Sequence, residues 1–241
     1  MSQSTNHHQR GAAQGKRLAF MSIAFAVTFI SLAGSFRTPL RVHADDDEQD
    51  EWKVRRGFEI APVPLNLKGK DRYLVGLGSY IVNAQIPCND CHTQNGATEF
   101  IPTGNPYFLG SIFSGRKQIN PATYLGGGHD FGPLIPGSAH IISRNLTPDK
   151  TGRPEGGHTF EEFREILRTG VDFDHLHPTC SGSPDESCIP PPFNGDLLQI
   201  MPWPEFQDMT EGDIRAIYEY LSAVPCVAGP PAPNPLHNDC H

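Results

Sequence analysis

Cys88-Asn89-Asp90-Cys91-His92 is the stretch of this chain that decides its fold. Two cysteines separated by two residues and followed at once by histidine have the spacing of a c-type haem attachment site. Their thiols can reach both vinyl groups on one porphyrin edge, and the adjacent imidazole can bind the iron as proximal ligand. A bare Cys-x-x-Cys pair also occurs in thiol redox and zinc sites. His92 makes haem the favoured interpretation, while a redox thiol pair, a metal site or a chance match stays open.

The first 44 residues predict export. Three basic residues precede an uncharged apolar run over 18–34, and Val42-His43-Ala44 offers the small residues that a signal peptidase reads. We expect a signal peptide cleaved after Ala44 or, if it is not cleaved, an N-terminal anchor, although a bilayer span needs about 20 residues. Both outcomes predict a periplasmic or otherwise extracytoplasmic protein, in contact with the membrane through residues 18–34 if at all.

Four further cysteines predict two disulfide bonds in an oxidising compartment. Sequence alone leaves all three pairings open. We favour Cys180–Cys188 and Cys226–Cys240, because each pair closes a short loop rich in Pro, Gly and Ser. A zinc site is the alternative, but the four cysteines lack the spacing of a zinc ligand pair.

The charge of the chain argues against nucleic acid as a partner. All 27 acidic residues and 14 of the 19 basic residues follow residue 44, so residues 45–241 carry a formal charge of −13. Such a surface repels nucleic acid and anionic membranes. It suits a partner with a basic docking patch, although the acidity can equally serve solubility alone. The run DDDEQDE over 45–51 predicts a disordered segment.

Three segments have helical periodicity. The first, 71–84, carries Gly76 and Gly78, which suggest close approach of another backbone or else a weak helix. The second, 159–169, begins with a capping box and ends before a glycine, and the third, 211–223, begins after a threonine cap. We expect the third helix to pack its aromatic bulk against the glycines of the first.

A long segment without periodicity, 93–144, separates the haem motif from the second helix. Repeated Gly and Pro punctuate this segment. A loop of about 50 residues is unusual in a compact domain unless it has a function. Wrapping a buried porphyrin is such a function, and the high Pro and Gly content predicts long ordered loops.

The sixth iron ligand decides the chemistry. Methionine opposite histidine raises the potential and leaves no open coordination position, which suits electron transfer. Met201 lies in the stiff sequence Met201-Pro202-Trp203-Pro204, whereas Met209 fits a hydrophobic staple before the third helix. We therefore predict Met201 as the distal ligand, with core packing as its alternative role. The competing imidazoles in the part that follows residue 44 include His129, His140, His158, His175 and His177.

These motifs together resemble the class I cytochromes c, in particular the bacterial family that includes cytochrome subunits of alcohol and other membrane dehydrogenases. The likeness rests on Gly78-Ser79-Tyr80-Ile81-Val82 before the haem motif, on Ser143-Arg144-Asn145-Leu146-Thr147-Pro148-Asp149, and on Met201-Pro202-Trp203. It implies an all-α fold with crossed N- and C-terminal helices around one covalently bound haem and long Pro/Gly-rich loops, and a distal methionine at Met201. Those subunits often carry three haem motifs, whereas this chain has one.

The resulting domain assignment has four parts. Residues 1–44 form the signal peptide or anchor, 45–69 an acidic flexible leader, 70–225 a cytochrome c domain and 226–241 a disulfide-tethered tail. The site residues are Cys88 and Cys91 for haem c attachment, with His92 and Met201 as axial ligands.

The expected function is single-electron transfer by a protein that is not itself an enzyme. The expected partner is a dehydrogenase or a terminal oxidase. The alternatives are a haem enzyme with a labile distal ligand, peroxidase-like or sulfur-oxidising, and a thiol–disulfide protein that uses Cys88 and Cys91.

Overall fold

A computed structural model describes residues 42–110, 117–232, 234 and 236–241. The predicted signal peptide or anchor lies outside these residues, apart from the backbone of residues 42–44. Within the described part, six α-helices surround the core and one small sheet lies at the side. The elements are α1 (Val42–Ile60), α2 (Arg72–Tyr80), α3 (Cys88–Cys91), β1 (Asp130–Pro133), β2 (His140–Ile142), α4 (Phe160–Thr169), α5 (Trp203–Phe206) and α6 (Glu211–Leu221).

The three predicted helices are present, and local capping explains where each begins. The Asp71 carboxylate accepts hydrogen bonds from the first turn of α2, and Thr210 caps α6 through the Asp213 amide. Helix α4 has the predicted capping box: the Thr159 amide donates to Glu162 at 2.8 Å, and the Glu162 amide donates to the Thr159 hydroxyl. Gly170 ends α4 at φ 72°, a left-handed conformation that glycine adopts without cost.

Glycine allows α2 to pack tightly between α1 and α6. A Cβ added at Gly78 would lie 1.9 Å from the Ala216 carbonyl oxygen of α6. On the other side, a Cβ added at Gly57 of α1 would lie 1.9 Å from the Gly76 carbonyl oxygen. The expectation that another backbone approaches α2 at its glycines is therefore confirmed, and α6 is one of two partners.

Helix α1 corrects the prediction of a flexible leader over 45–69. Its residues 42–60 are helical, so that prediction was wrong for most of the segment. Packing explains the order: Val54 and Phe58 contact the core, and Trp52 lies edge-on to Tyr80 with ring centroids 5.5 Å apart. The acidic run over 45–51 falls within the backbone range of α1.

The all-α description is also too narrow. Strands β1 and β2 pair antiparallel within the long segment 93–144, with Asp130 opposite Ile142. The imidazole of His140 lies 2.9 Å from the Asp130 carboxylate across this ribbon. The Pro and Gly residues that predict a loop are compatible with so short a hairpin, because strands of three and four residues give no readable alternation.

Both favoured disulfide pairings are confirmed. Cys180 is bonded to Cys188, and Cys226 to Cys240. The second bond holds the C-terminal tail against residues 145–150, where Asn145 donates to the Val227 carbonyl at 2.7 Å. The side-chain amide of Asn238 donates to the Thr147 carbonyl at 3.0 Å. The tail is therefore packed onto the domain rather than only tethered to it.

Among the described residues, none of the helices has both the length and the hydropathy required to cross a membrane.

Candidate functional site

The haem motif forms the short helix α3, which the following loop holds in place. The Asn89 side chain is buried, and its carbonyl oxygen accepts a hydrogen bond from the Leu125 amide at 2.9 Å. The thiols at either end of α3 form no disulfide bond, and Cys88 is partly buried whereas Cys91 is exposed. Both thiols are therefore available to a common ligand.

His92, the predicted proximal ligand, is held in one orientation by backbone groups distant in sequence. The His92 Nδ1 atom lies 2.8 Å from the Arg144 carbonyl oxygen, so the ring donates there and keeps Nε2 for a metal. The Gly127 amide donates to the His92 carbonyl at 2.9 Å. A Cβ on Gly127, which has φ 71°, would lie 2.5 Å from the Arg144 carbonyl carbon, so glycine permits this approach. Burial lowers the pKa of His92 and favours the neutral, ligating imidazole.

The environment of the two thiols disfavours thiolate. Burial raises the pKa of Cys88 to about 12. Burial also raises the pKa of Cys91, and the nearby carboxylates of Asp90 and Glu99 add to the effect. Reactive redox thiols have the opposite property, a depressed pKa in electropositive surroundings. The site is therefore poorly suited to thiol–disulfide exchange.

The loop that carries Met201 is anchored to the end of α4. The Leu198 amide donates to the Gly170 carbonyl at 2.7 Å, and the Trp203 indole donates back to the Leu198 carbonyl at 3.1 Å. A Cβ on Gly170 would lie 2.3 Å from the Trp203 ring, so the indole packs directly on this glycine. Ile200, immediately before Met201, has φ 68°, a conformation rare for a β-branched residue. The loop is thus held by its ends and strained at the residue before the thioether.

Two adjoining cavities bring the predicted site residues together. The first, the apolar cavity, lies between α3, α4 and α6 and comprises about 700 Å³ of free space, part of it open to solvent. The second, the mixed cavity, lies beside β2 and the Met201 loop and comprises about 730 Å³, also partly open to solvent. Four residues line both cavities: Cys91, His92, Met201 and Pro202. The predicted proximal and distal ligands therefore border the same space.

The walls of the apolar cavity fit a flat hydrophobic group. Helix α4 supplies Phe163 and Leu167, and α6 supplies Ile217 and Leu221. Cys88 also lines this cavity, so both thiols border it. Met209 lines it too, in addition to any role before α6, whereas Met201 alone of the two borders both cavities. Apolar walls, two thiols and a neutral imidazole are the donor set and surroundings that covalent haem requires.

An ion-pair cluster lies where the mixed cavity meets the protein surface. The Arg144 guanidinium donates to Asp172 at 2.6 Å and also to Asp174. His177 lines the same cavity, and its Nδ1 atom is buried with no partner among the described residues. In the sequence, Asp172, Asp174 and Pro178 surround the segment His175–His177, and this pattern predicts a loop exposed to solvent. His175 is exposed, as that interpretation expects, whereas His177 is only partly exposed and borders the mixed cavity.

The other competing histidines lie elsewhere in the described part of the chain. His129 stacks on Phe131, with ring centroids 4.3 Å apart. His140 contacts Asp130, and the His158 Nδ1 atom lies 3.7 Å from the Glu162 carboxylate. None of these three imidazoles lines either cavity.

Glu155 is the residue at this site that the sequence did not reveal. Its side chain is only 7% exposed and lines the apolar cavity. Burial raises the pKa of its carboxyl to about 7. It lies in Pro154-Glu155-Gly156-Gly157, where proline and glycine predict a turn. A single glutamate in such a turn does not indicate a functional residue.

Comparison with known proteins supports a distant, cytochrome c-like relationship. Two relatives are the cytochrome c subunits of the quinone alcohol dehydrogenases of Gluconacetobacter polyoxogenes and Komagataeibacter europaeus. Each is 29% identical over 113 residues, which is 47% of this chain and 19% of the relative. The chain therefore matches about a fifth of the length of these relatives. No family model matches the chain, and no solved structure matches it.

Proposed function

We propose that this protein is an extracytoplasmic monohaem cytochrome c of class I that carries single electrons and is not itself an enzyme. Its haem c is held by thioether bonds from Cys88 and Cys91, with His92 and Met201 as axial ligands. The expected partner is a dehydrogenase related to those of the similar proteins, or a terminal oxidase.

One observation carries this proposal: the imidazole of His92 and the thioether of Met201 border the same two cavities, together with Cys91. His92 and Met201 are separated by more than a hundred positions in the sequence, so their meeting is a property of the fold. The apolar walls supplied by α4 and α6 support the same interpretation, because burial of the porphyrin helps to set its potential.

Haem in this position would supply one-electron chemistry at its iron. The chain's own residues then have separate tasks. Arg144 orients the His92 ring through its backbone carbonyl. Trp203 and Gly170 fix the loop that presents Met201. The side chains of α4 and α6 keep water from the apolar cavity.

The exposed side of the site supports electron exchange with a protein partner. Cys91 is exposed, and two isoleucines of the mixed cavity, Ile142 and Ile200, are 40% and 48% exposed. Apolar side chains around an accessible thioether edge would let a partner approach closely and exclude water. The net charge of −13 over residues 45–241 suits a partner with a basic rim around that contact.

The first experiment is production of the full chain in a bacterium with the cytochrome c maturation system. Haem colour should remain with the polypeptide after denaturing electrophoresis, because thioether bonds survive denaturation. The oxidised protein should show the weak charge-transfer band of a methionine-ligated ferric haem in the red. A colourless chain would contradict the proposal, and a haem protein that binds cyanide or azide readily would favour the haem enzyme instead.

The two methionines of the apolar cavity make a matched pair for assigning the ligand. Met201→Ala should abolish the charge-transfer band and lower the midpoint potential, because a thioether favours ferrous iron. Met209→Ala should keep the band and lose on the order of 2–5 kcal/mol of stability at most, as expected for a packing methionine. Spectra and redox titrations of both variants test the assignment, and an exchange of the two behaviours would refute it.

A further inference from the structure

Glu155 connects the apolar cavity to the protein surface. Besides lining the apolar cavity, it lines a smaller cavity of about 290 Å³ that the C-terminal tail covers. The walls of this tail cavity include Arg144, Asp174, His237 and Asn238. Of these, Asp174 and His237 are exposed, so the second side of Glu155 faces groups that exchange protons with water.

The local backbone holds Glu155 in an unusual conformation. Its φ of 51° lies in the left-handed region, where a residue with a side chain is uncommon. Two glycines with positive φ follow it, so the turn does not depend on glutamate. Such outliers persist where the surrounding structure holds them, often at functional sites. Here the conformation places a carboxyl group in an apolar wall.

The carboxyl of Glu155 has little to stabilise its charge. Among the described residues, no hydrogen bond to its carboxyl is present, and its favourable neighbour is the Arg144 guanidinium, which already binds Asp172 and Asp174. Burial is the main reason that its pKa is raised to about 7, and Asp172 adds to the rise. The ionisable groups that share a cavity with it or act on its charge are Cys88, Cys91 and His92 on the side of the apolar cavity and Arg144, Asp172, Asp174 and His237 on the other side.

We propose that Glu155 is a redox-linked proton site, which takes up a proton when the haem in the apolar cavity is reduced and releases it on oxidation. This inference rests on the proposed function, since it requires haem in that cavity. One electron from a one-electron donor protein enters the iron, and one proton from water binds the carboxylate. Oxidation returns both, so the balance is one electron and one proton each way.

Electrostatics gives the direction of the coupling. Reduction removes one positive charge from the iron, which weakens the attraction that stabilises a nearby carboxylate. The pKa of Glu155 is therefore higher in the reduced protein than in the oxidised protein. Between those two values the midpoint potential falls as the pH rises. The tail cavity gives the proton its route through Asp174 and His237.

The test is a series of redox titrations of the purified holoprotein between about pH 5 and pH 9, which spans the range around a pKa near 7. The wild-type potential should fall with pH, by at most about 59 mV for each tenfold fall in proton concentration. Glu155→Gln should remove most of that fall. Glu165→Gln is the matched control, because Glu165 is an exposed glutamate on the neighbouring helix α4. Its pH dependence should equal that of the wild type.

A second measurement needs no variant and covers the case in which Glu155→Gln does not fold. The reduced-minus-oxidised infrared spectrum of the wild type near neutral pH should gain the carbonyl band of a protonated carboxylic acid. A potential that does not vary with pH, a slope that persists in Glu155→Gln, or no such band would overturn the proton site. A slope lost instead in His158→Gln or His237→Gln would do so as well. Absence of covalent haem would overturn the proposed function itself.

Discussion

The side chain of Trp203 holds the Met201 loop in place. Trp203 donates from its indole nitrogen to Leu198 and lies on Gly170, so one residue ties the Met201 loop to the end of α4. Ile200 adds strain within that loop, with φ 68°. The position of the Met201 thioether therefore depends on Trp203, which lies two residues away and is not itself a predicted iron ligand.

Trp203→Phe tests this dependence at the scale of one residue. Loss of the indole hydrogen bond should cost about 1 kcal/mol. This loss should destabilise the Met201 loop rather than the whole domain. The methionine–iron charge-transfer band should therefore disappear at a lower temperature than in the wild type. Thermal scans of the band and of far-ultraviolet circular dichroism separate local loosening from unfolding.

Trp52→Phe is the control for that experiment, because the only other tryptophan lies on α1 and is 46% exposed. It should leave the thermal loss of the band unchanged. Equal effects of the two substitutions would remove the special role of Trp203.

At the scale of elements, α2 organises the domain because two helices approach it closely. Gly76 faces α1 and Gly78 faces α6. The buried side chains of Tyr124 and Tyr220 and the partly buried side chain of Asn83 continue this packing. The two phenol oxygens lie 2.8 Å apart, and Asn83 accepts from Tyr124 at 2.6 Å. The crossing thus fixes α6, which supplies Ile217 and Leu221 to the wall of the apolar cavity.

Gly78→Ala should separate α2 from α6. The added methyl would lie 1.9 Å from a backbone oxygen, which cannot rotate away, so we expect a loss of about 3 kcal/mol or more. Denaturant unfolding of the holoprotein measures the change.

Gly96→Ala provides the comparison, because a Cβ at that exposed position meets nothing within 4 Å. Its stability should stay within about 0.5 kcal/mol of the wild type. A tolerated Gly78→Ala would mean that the helices do not need this close approach.

At the scale of the whole molecule, the C-terminal tail closes the structure over residues 145–150. The Cys226–Cys240 bond spans 14 residues, and the tail also forms an ion pair between Asp239 and Lys150. The tail covers the cavity behind Glu155, so its attachment affects the surroundings of a group next to the haem site.

Replacing both Cys226 and Cys240 with serine should release the tail. The loop-closure model gives a loss of about 3 kcal/mol for a loop of this length. Hydrogen exchange by mass spectrometry should show faster exchange in residues 226–241. The corresponding double serine variant of Cys180 and Cys188 should leave exchange in the tail unchanged, and protection that survives loss of Cys226–Cys240 would show that hydrogen bonds alone hold the tail.

Local signals were sufficient for much of this structure. The capping box at Thr159, the cap at Thr210 and the short loops between paired cysteines all depend on residues close in sequence, so the pattern determined them. The spacing of Cys88, Cys91 and His92 likewise predicts a haem motif by itself. Helix α1 escaped prediction because its order comes from contacts with α2, which the composition of an acidic segment does not reveal.

The sequence by itself determined the three capped helices, predicted the attachment motif and favoured, among three possible pairings, the two disulfide bonds of the structure, because each depends on residues close together in the chain. Only the tertiary structure decided that the Arg144 carbonyl orients His92, that Met201 borders the same cavities as His92, and that Glu155 is buried beside them. Those relations join segments far apart in the chain. Burial and long-range hydrogen bonds have no local pattern, so they exist only once the chain has folded.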